Sequence, residues 1–294
     1  MAPSTVVAEF CERLDAADPE TAARRAAAWL HVCMGRTAPP IEPYHAARLV
    51  GIRDVRELAL PCAGMLVPIR AGGFIARIKR SDPLARRRFT LGHEIGHALL
   101  AGPRHVQHRR PVTCAQALDV ETLCDQIAAE LLMPSPAFEE AAGRVRRVAD
   151  VWALARQFQV SFRAVAVQMA RRDIPVAVVR WRRKSLPKKP EALRVEWQSS
   201  PRGVFIPLRA SAAGDSLVTA AFTSQQPARG RERLDLGTLR GEYEVDAVPW
   251  SSSRVGPAEV LSIIQLRPTP ADAGEPAAWR LSSVRDAPHD QTHS

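Results

Sequence analysis

The stretch Arg86 to Leu100, RRRFTLGHEIGHALL, sets two histidines around a glutamate: His93, Glu94, Ile95, Gly96, His97. On a helix, positions i and i+4 lie on one face about a turn apart, so both imidazoles can reach a single ion. Neutral imidazole is a good zinc ligand. Glu94 is turned about 100° from His93, so it stands beside such an ion and can take a proton from water there. A catalytic zinc also needs a third protein ligand and an open position. Glu121, twenty-four residues beyond His97, lies in a second helical stretch and has Asp125 at i+4. Glu121 can complete the ligand set, and Asp125 can accept a hydrogen bond from the far nitrogen of one histidine, which fixes its tautomer. Glu130 competes for the third-ligand place but lies about 13 Å further along that helix. Gly92 and Gly96 each cost the first helix about 1 kcal/mol relative to alanine. Close approach of a neighbouring element is the expected compensation.

Several elements must hold this arrangement. The first helix is predicted from Pro83 to Leu100, stopped by Gly102 and Pro103, and the second over 115–133, stopped by Pro134 and Pro136. Ahead of them, VRELALP, GMLVPIR and GFIARIKR read as three short strands within 55–79. The strand at 72–80, just before the histidine helix, is expected to receive an extended substrate segment as an added strand. Residues 3–33 carry helical spacing broken at Asp18–Pro19, with Asp18 as N-cap, and a short helix is expected from Pro43 to Val50. His105, His108 and Tyr44 are candidates to stabilise a developing oxyanion, and sequence does not choose among them. Cys114 and Cys124 flank Glu121 and read as buried structural cysteines rather than a redox pair.

Further along, VRRVADVWALARQF and FRAVAVQMARR, joined by QVS, predict a helical hairpin over 145–172, with a helix-turn-helix as the alternative. Residues 176–192 read as a basic linker. The runs LRVEWQ, GVFIPLRA, SLVTAAFT, GEYEVDAV and VLSIIQLRP then predict a small strand-rich domain over 193–267. The tail 268–294 is expected to be disordered, with His289 and His293 exposed to solvent.

The 294 residues are 46% apolar and 24% charged, near the globular average, which argues against wholesale disorder. There is no apolar run long enough for a membrane helix and no secretory leader pattern. Five scattered cysteines without a CxxC pair argue for a reducing cytoplasm. Net charge is +10, but residues 61–190 hold 23 basic against 10 acidic side chains. That imbalance suits nucleic acid or an acidic partner as well as a solvated surface.

HEIGH, followed by E-x-x-x-D from Glu121 to Asp125, by AAELLMP, and preceded by RRFTL, resembles the ImmA/IrrE family of zinc metallopeptidases. The resemblance implies His93, His97 and Glu121 as zinc ligands, with manganese as the alternative metal, and Glu94 as general base. It implies an α+β chain with a zincin-like helical peptidase domain over 1–175, containing a small three-stranded sheet and the hairpin. The linker, a β-rich GAF-like sensor domain over 193–267 and the tail follow. The implied activity is cytoplasmic, site-specific cleavage of a helix-turn-helix repressor that turns on stress-response or mobile-element genes, with a small-molecule signal at the sensor domain. Cys124 and Ile127 stand where the family commonly has Ala and Phe. Two other readings compete: a non-catalytic DNA-binding or scaffold regulator of the same fold, and a ligand sensor with a structural metal. A regulator has no need of Glu94, whereas a peptidase does.

Overall fold

The structure, a computed structural model, describes residues 5–102, 114–187, 189–251 and 259–266. His105, His108, His289, His293 and the tail 268–294 lie outside the described residues, as does the side chain of Cys114. The described part is an α+β fold. Its N-terminal half runs α1 (Thr5–Arg13), α2 (Pro19–Met34), α3 (Pro43–Leu49), β1 (Ile52–Leu58), β2 (Gly64–Pro68), β3 (Phe74–Lys79), α4 (Leu84–Ala101) and α5 (Cys114–Leu132). Three further helices follow, α6 (Ser135–Ala142), α7 (Val148–Phe158) and α8 (Phe162–Arg171). The C-terminal part is β4 (Val176–Leu186), β5 (Lys189–Ser199), α9 (Leu217–Ser224), β6 (Ala228–Leu236), β7 (Leu239–Trp250) and β8 (Glu259–Gln265).

The first sheet has the order β1-β3-β2, with β3 parallel to β1 and antiparallel to β2. The β2–β3 turn passes through Gly72 and Gly73, both at positive φ, where a side chain would be strained. Phe74, Ala76 and Ile78 alternate onto one face of β3 and pack with Leu91, Ile95 and Ala98 of α4. β3 is therefore the central strand, contrary to the expectation that it offers a free edge; β2 is the edge next to it.

Helices α4 and α5 approach closely where α4 has no side chain. A methyl group at Gly96 would come within 2.9 Å of the Cys124 Cα, and one at Gly92 within 3.0 Å of the Ala128 Cβ. Backbone contact through the glycines is the compensation their helix cost requires. We expect Gly96→Ala to force α4 and α5 apart at about 1–3 kcal/mol, read as a lower denaturant midpoint. An unchanged midpoint would show that the helices can separate freely there.

The second sheet is antiparallel, in the order β5-β4-β8-β7-β6. Its middle strands are covered on both faces. Val176, Val178, Leu261 and Ile263 join the core of α7 and α8, whereas Ala177, Val179, Trp181 and Ile264 pack beneath α9. The hairpin α7–α8 thus shares its core with this sheet. Asp246 of β7 strengthens the junction by accepting from the Val148 N–H at 2.7 Å, satisfying the start of α7.

Several expectations are corrected here. Residues 176–186 are strand β4 and residues 189–192 open strand β5, where a linker was expected. The arginines that made the stretch look solvated lie in ion pairs, Arg180 and Arg182 with Glu259 and Arg183 with Glu191. GVFIPLRA is irregular rather than extended. SLVTAAFT forms α9, because Ser216 caps it through the Thr219 N–H and Val218 and Ala221 are buried at helical spacing. Strand β6 escaped notice because its exposed positions are Arg229, Arg231 and Arg233, each opposite an acid of β7, and Asp235, opposite Arg240, an arrangement that protects an edge but lacks an apolar pattern.

Candidate metal centre

Histidines 93 and 97 project from the middle of α4 towards Glu121 on the first part of α5. One ligand atom from each lies within 4.8 Å of the others. The two Nε2 atoms are 3.1 Å apart; Glu121 places one oxygen 3.0 Å from His93 Nε2 and the other 3.4 Å from His97 Nε2. Asp125, one turn after Glu121, lies 2.8 Å from His93 Nδ1. That contact suits Nδ1–H donating to the carboxylate, which leaves the Nε2 lone pair facing the other donors. Burial lowers the His93 pKa, but the Asp125 hydrogen bond and the charges of Asp125, Glu121 and Glu94 outweigh it and hold it above the ordinary value. Burial and then His93 hold His97 below its ordinary value, which favours the neutral, ligating imidazole. Two imidazole nitrogens and a carboxylate converging on one point fit a divalent metal.

Glu94 lies beside this cluster and is 5% exposed. Burial pushes its carboxyl up to about 7, His93 pulls it down, and Glu121 adds to the rise. A group poised near neutrality can accept and return a proton. The edge strand β2 reaches the same place. A side chain at Gly64 would overlap Thr90 Cγ2 and stand 3.0 Å from Glu94 Oε1. Hydrogen bonds from Lys79 N to Ala63 O and from Ile69 N to Gly73 O fix the paired positions of the hairpin. The alternation then turns the N–H and C=O of Gly64 and Leu66 to the open edge, and Pro68 has no N–H to offer there. Gly64 was missed as a site residue; its signal was an isolated glycine in the strand pattern GMLVP, which marks a close approach.

The remaining expectations divide. Glu130 is not with the histidines: it is buried, accepting from Ser135 Oγ and Gln168 Nε2 at 2.8 Å each and paired with Arg172. Tyr44 turns its hydroxyl to Glu57 on β1 at 3.4 Å. Cys124 is fully buried against Gly96, and burial pushes its thiol pKa well up, so it is a packing residue. In α8, which a helix-turn-helix would present to DNA, Arg163 is the only exposed residue, and its guanidinium stacks over Trp197. That helix is packing, not a reading head. Much of the basic charge in 61–190 is likewise engaged internally: Arg87 with Glu57, Arg88 with the Ile41 carbonyl, Arg172 with Glu130, and Lys184 with Glu196.

Comparison with known proteins agrees with this geometry. Residues 69–169 match the IrrE N-terminal-like domain, a peptidase family. The chain is 29% identical over 180 residues to the radiation response metalloprotease IrrE of Deinococcus radiodurans; the match covers 60% of this chain and 55% of that relative, little more than half its length. In fold it resembles a Mycobacterium tuberculosis transcriptional regulator, with a TM-score of 0.54 and 18% identity over 88% of this chain and 80% of that one.

Proposed function

We propose, from the membership of residues 69–169 in the IrrE N-terminal-like peptidase family, that this chain is a zinc-dependent endopeptidase that cuts a helix-turn-helix repressor at one site. The observation that carries the reading is the convergence of His93, His97 and Glu121 with the buried Glu94 alongside. In this reading His93, His97 and Glu121 hold the metal and Asp125 orients His93. The two-nitrogen, one-oxygen set suits zinc better than manganese, which prefers oxygen. When bound, zinc supplies Lewis-acid polarisation of the scissile carbonyl and of the attacking water.

The chain's own groups do the rest. The edge N–H groups of Gly64 and Leu66 and the Leu66 C=O bind an extended substrate segment as an added strand, beside the Gly64 C=O that accepts from Cys62 Sγ at 3.4 Å, and Pro68 ends that ladder. Gly64 borders Glu94, so the segment passes the base there. Glu94 accepts the proton as water attacks and hands it to the departing amine. Residues 1–175 are the peptidase domain, and the following sheet, from β4 onward, is the regulatory part. Its α9 face is filled by Trp181, Ile206, Val218 and Leu236, so a small-molecule signal must displace side chains to enter. No helix among the described residues is long and apolar enough to cross a membrane, and the scattered thiols suit a cytoplasmic setting.

The test is to load the purified chain with zinc and incubate it with helix-turn-helix repressors encoded beside it. Cleavage of one repressor at one bond, stopped by a chelator, is expected. Intact repressors throughout, with zinc bound, would contradict the proposed substrate class.

A further inference from the structure

The role of β2 in placing the base goes beyond the ligand set. Gly64 does not adopt a backbone conformation reserved for glycine; what makes it glycine is space. A Cβ there would overlap Thr90 Cγ2, stand 3.0 Å from Glu94 Oε1 and 3.2 Å from the Arg77 carbonyl. Two of these neighbours cannot yield freely. Thr90 is buried on α4, and the Arg77 carbonyl belongs to the central strand, whose Arg77 is the cross-strand partner of Met65. The third, the Glu94 carboxylate, is as buried as Thr90 but ends a side chain with three rotatable bonds, so it yields by turning once the Thr90 methyl is accommodated. We propose that Gly64 is a positioning residue, whose missing side chain leaves the Glu94 carboxylate its place between α4 and the edge strand. A larger residue there turns the carboxylate out of line while leaving His93, His97 and Glu121, which lie towards α5, in place. This inference rests on the peptidase reading of the site.

The test needs no identified substrate. Acetohydroxamate, a small bidentate zinc chelator with an ionisable proton, binds a zinc site best when a carboxylate is placed to share that proton. Its affinity for the zinc-loaded full chain therefore reports where Glu94 stands. Gly64→Ala is expected to keep about one zinc per chain, melt at a lower temperature, and weaken acetohydroxamate binding by about tenfold or more, the loss of one charge-assisted hydrogen bond. Glu94→Gln should weaken it comparably at the wild-type melting temperature. The double variant Gly64→Ala, Thr90→Ser removes the overlapping methyl. It should recover the melting temperature without recovering the affinity, because the new Cβ still faces the carboxylate. Wild-type affinity in Gly64→Ala, or full recovery in the double variant, would overturn the positioning role and reduce Gly64 to packing. Failure of the wild-type chain to take up zinc would instead overturn the peptidase reading, and this inference with it.

Discussion

Exchanging Glu94 for glutamine is expected to cut repressor cleavage by about 10²–10⁴-fold while the metal stays bound. Glutamine keeps the shape and one acceptor oxygen but cannot take a proton. The wild-type carboxyl is buried beside His93 and sits near 7, where it loses and regains a proton with little penalty. Three other carboxylates of α5 cannot replace it: Glu121 and Asp125 are committed to the histidines, and Glu130 is locked in another cluster. The measurement is single-turnover cleavage at equal metal content. A variant that cuts within a few-fold of wild type would show that Glu94 is not the base.

Removing the Arg172 cation should have the largest effect on stability. Its side chain is 3% exposed and meets Glu130, itself 7% exposed, with Glu20 at 3.6 Å and Glu139 at 3.5 Å. The cluster therefore joins α2, α5, α6 and α8. Arg172→Met would leave Glu130 buried and uncompensated, which costs about 3–5 kcal/mol where one partner of a buried pair is lost. The double variant with Glu130→Gln takes the stranded charge away as well and should recover much of that loss. Urea midpoints of the two variants check this. Equal, small losses in both would mean that solvent reaches the cluster.

The contrast between Glu130 and Glu121 shows how far the site was legible. Helical spacing placed both on one helix and set His93 with His97 on one face and Glu121 with Asp125 on another; that the two faces meet followed from a catalytic zinc's need of a third ligand, not from the helix period. Sequence favoured Glu121 by distance along the axis; Glu130's partners, Gln168 of α8 and Arg172 just after it, are far away in sequence, and no local pattern announces them. Gly64 was invisible for the same reason, since its neighbour Glu94 lies across a sheet–helix contact. The first sheet was legible as three strands, but their order was not: β3 became central because β1 and β2 pair to its two sides, leaving β2 as the edge. In the second sheet, β7 and β8 carried strand patterns, whereas β4 and β6 were masked by arginines whose acids lie on neighbouring strands. Spacing alone does not report burial, which is what separates a packed hairpin from a helix-turn-helix: α8 buries Phe162, Val165, Ala166, Gln168 and Met169, the apolar ones against α7 and the second sheet.

The central claim is that His93, His97 and Glu121 hold one catalytic metal ion with Glu94 beside it rather than on it. The most direct measurement is metal stoichiometry of purified wild type, Glu94→Gln and Glu121→Ala after zinc is supplied and excess is removed. About one zinc per chain in wild type and Glu94→Gln, with loss in Glu121→Ala, is the predicted result. Wild type without zinc, or Glu121→Ala that keeps it as tightly as wild type, would contradict the account.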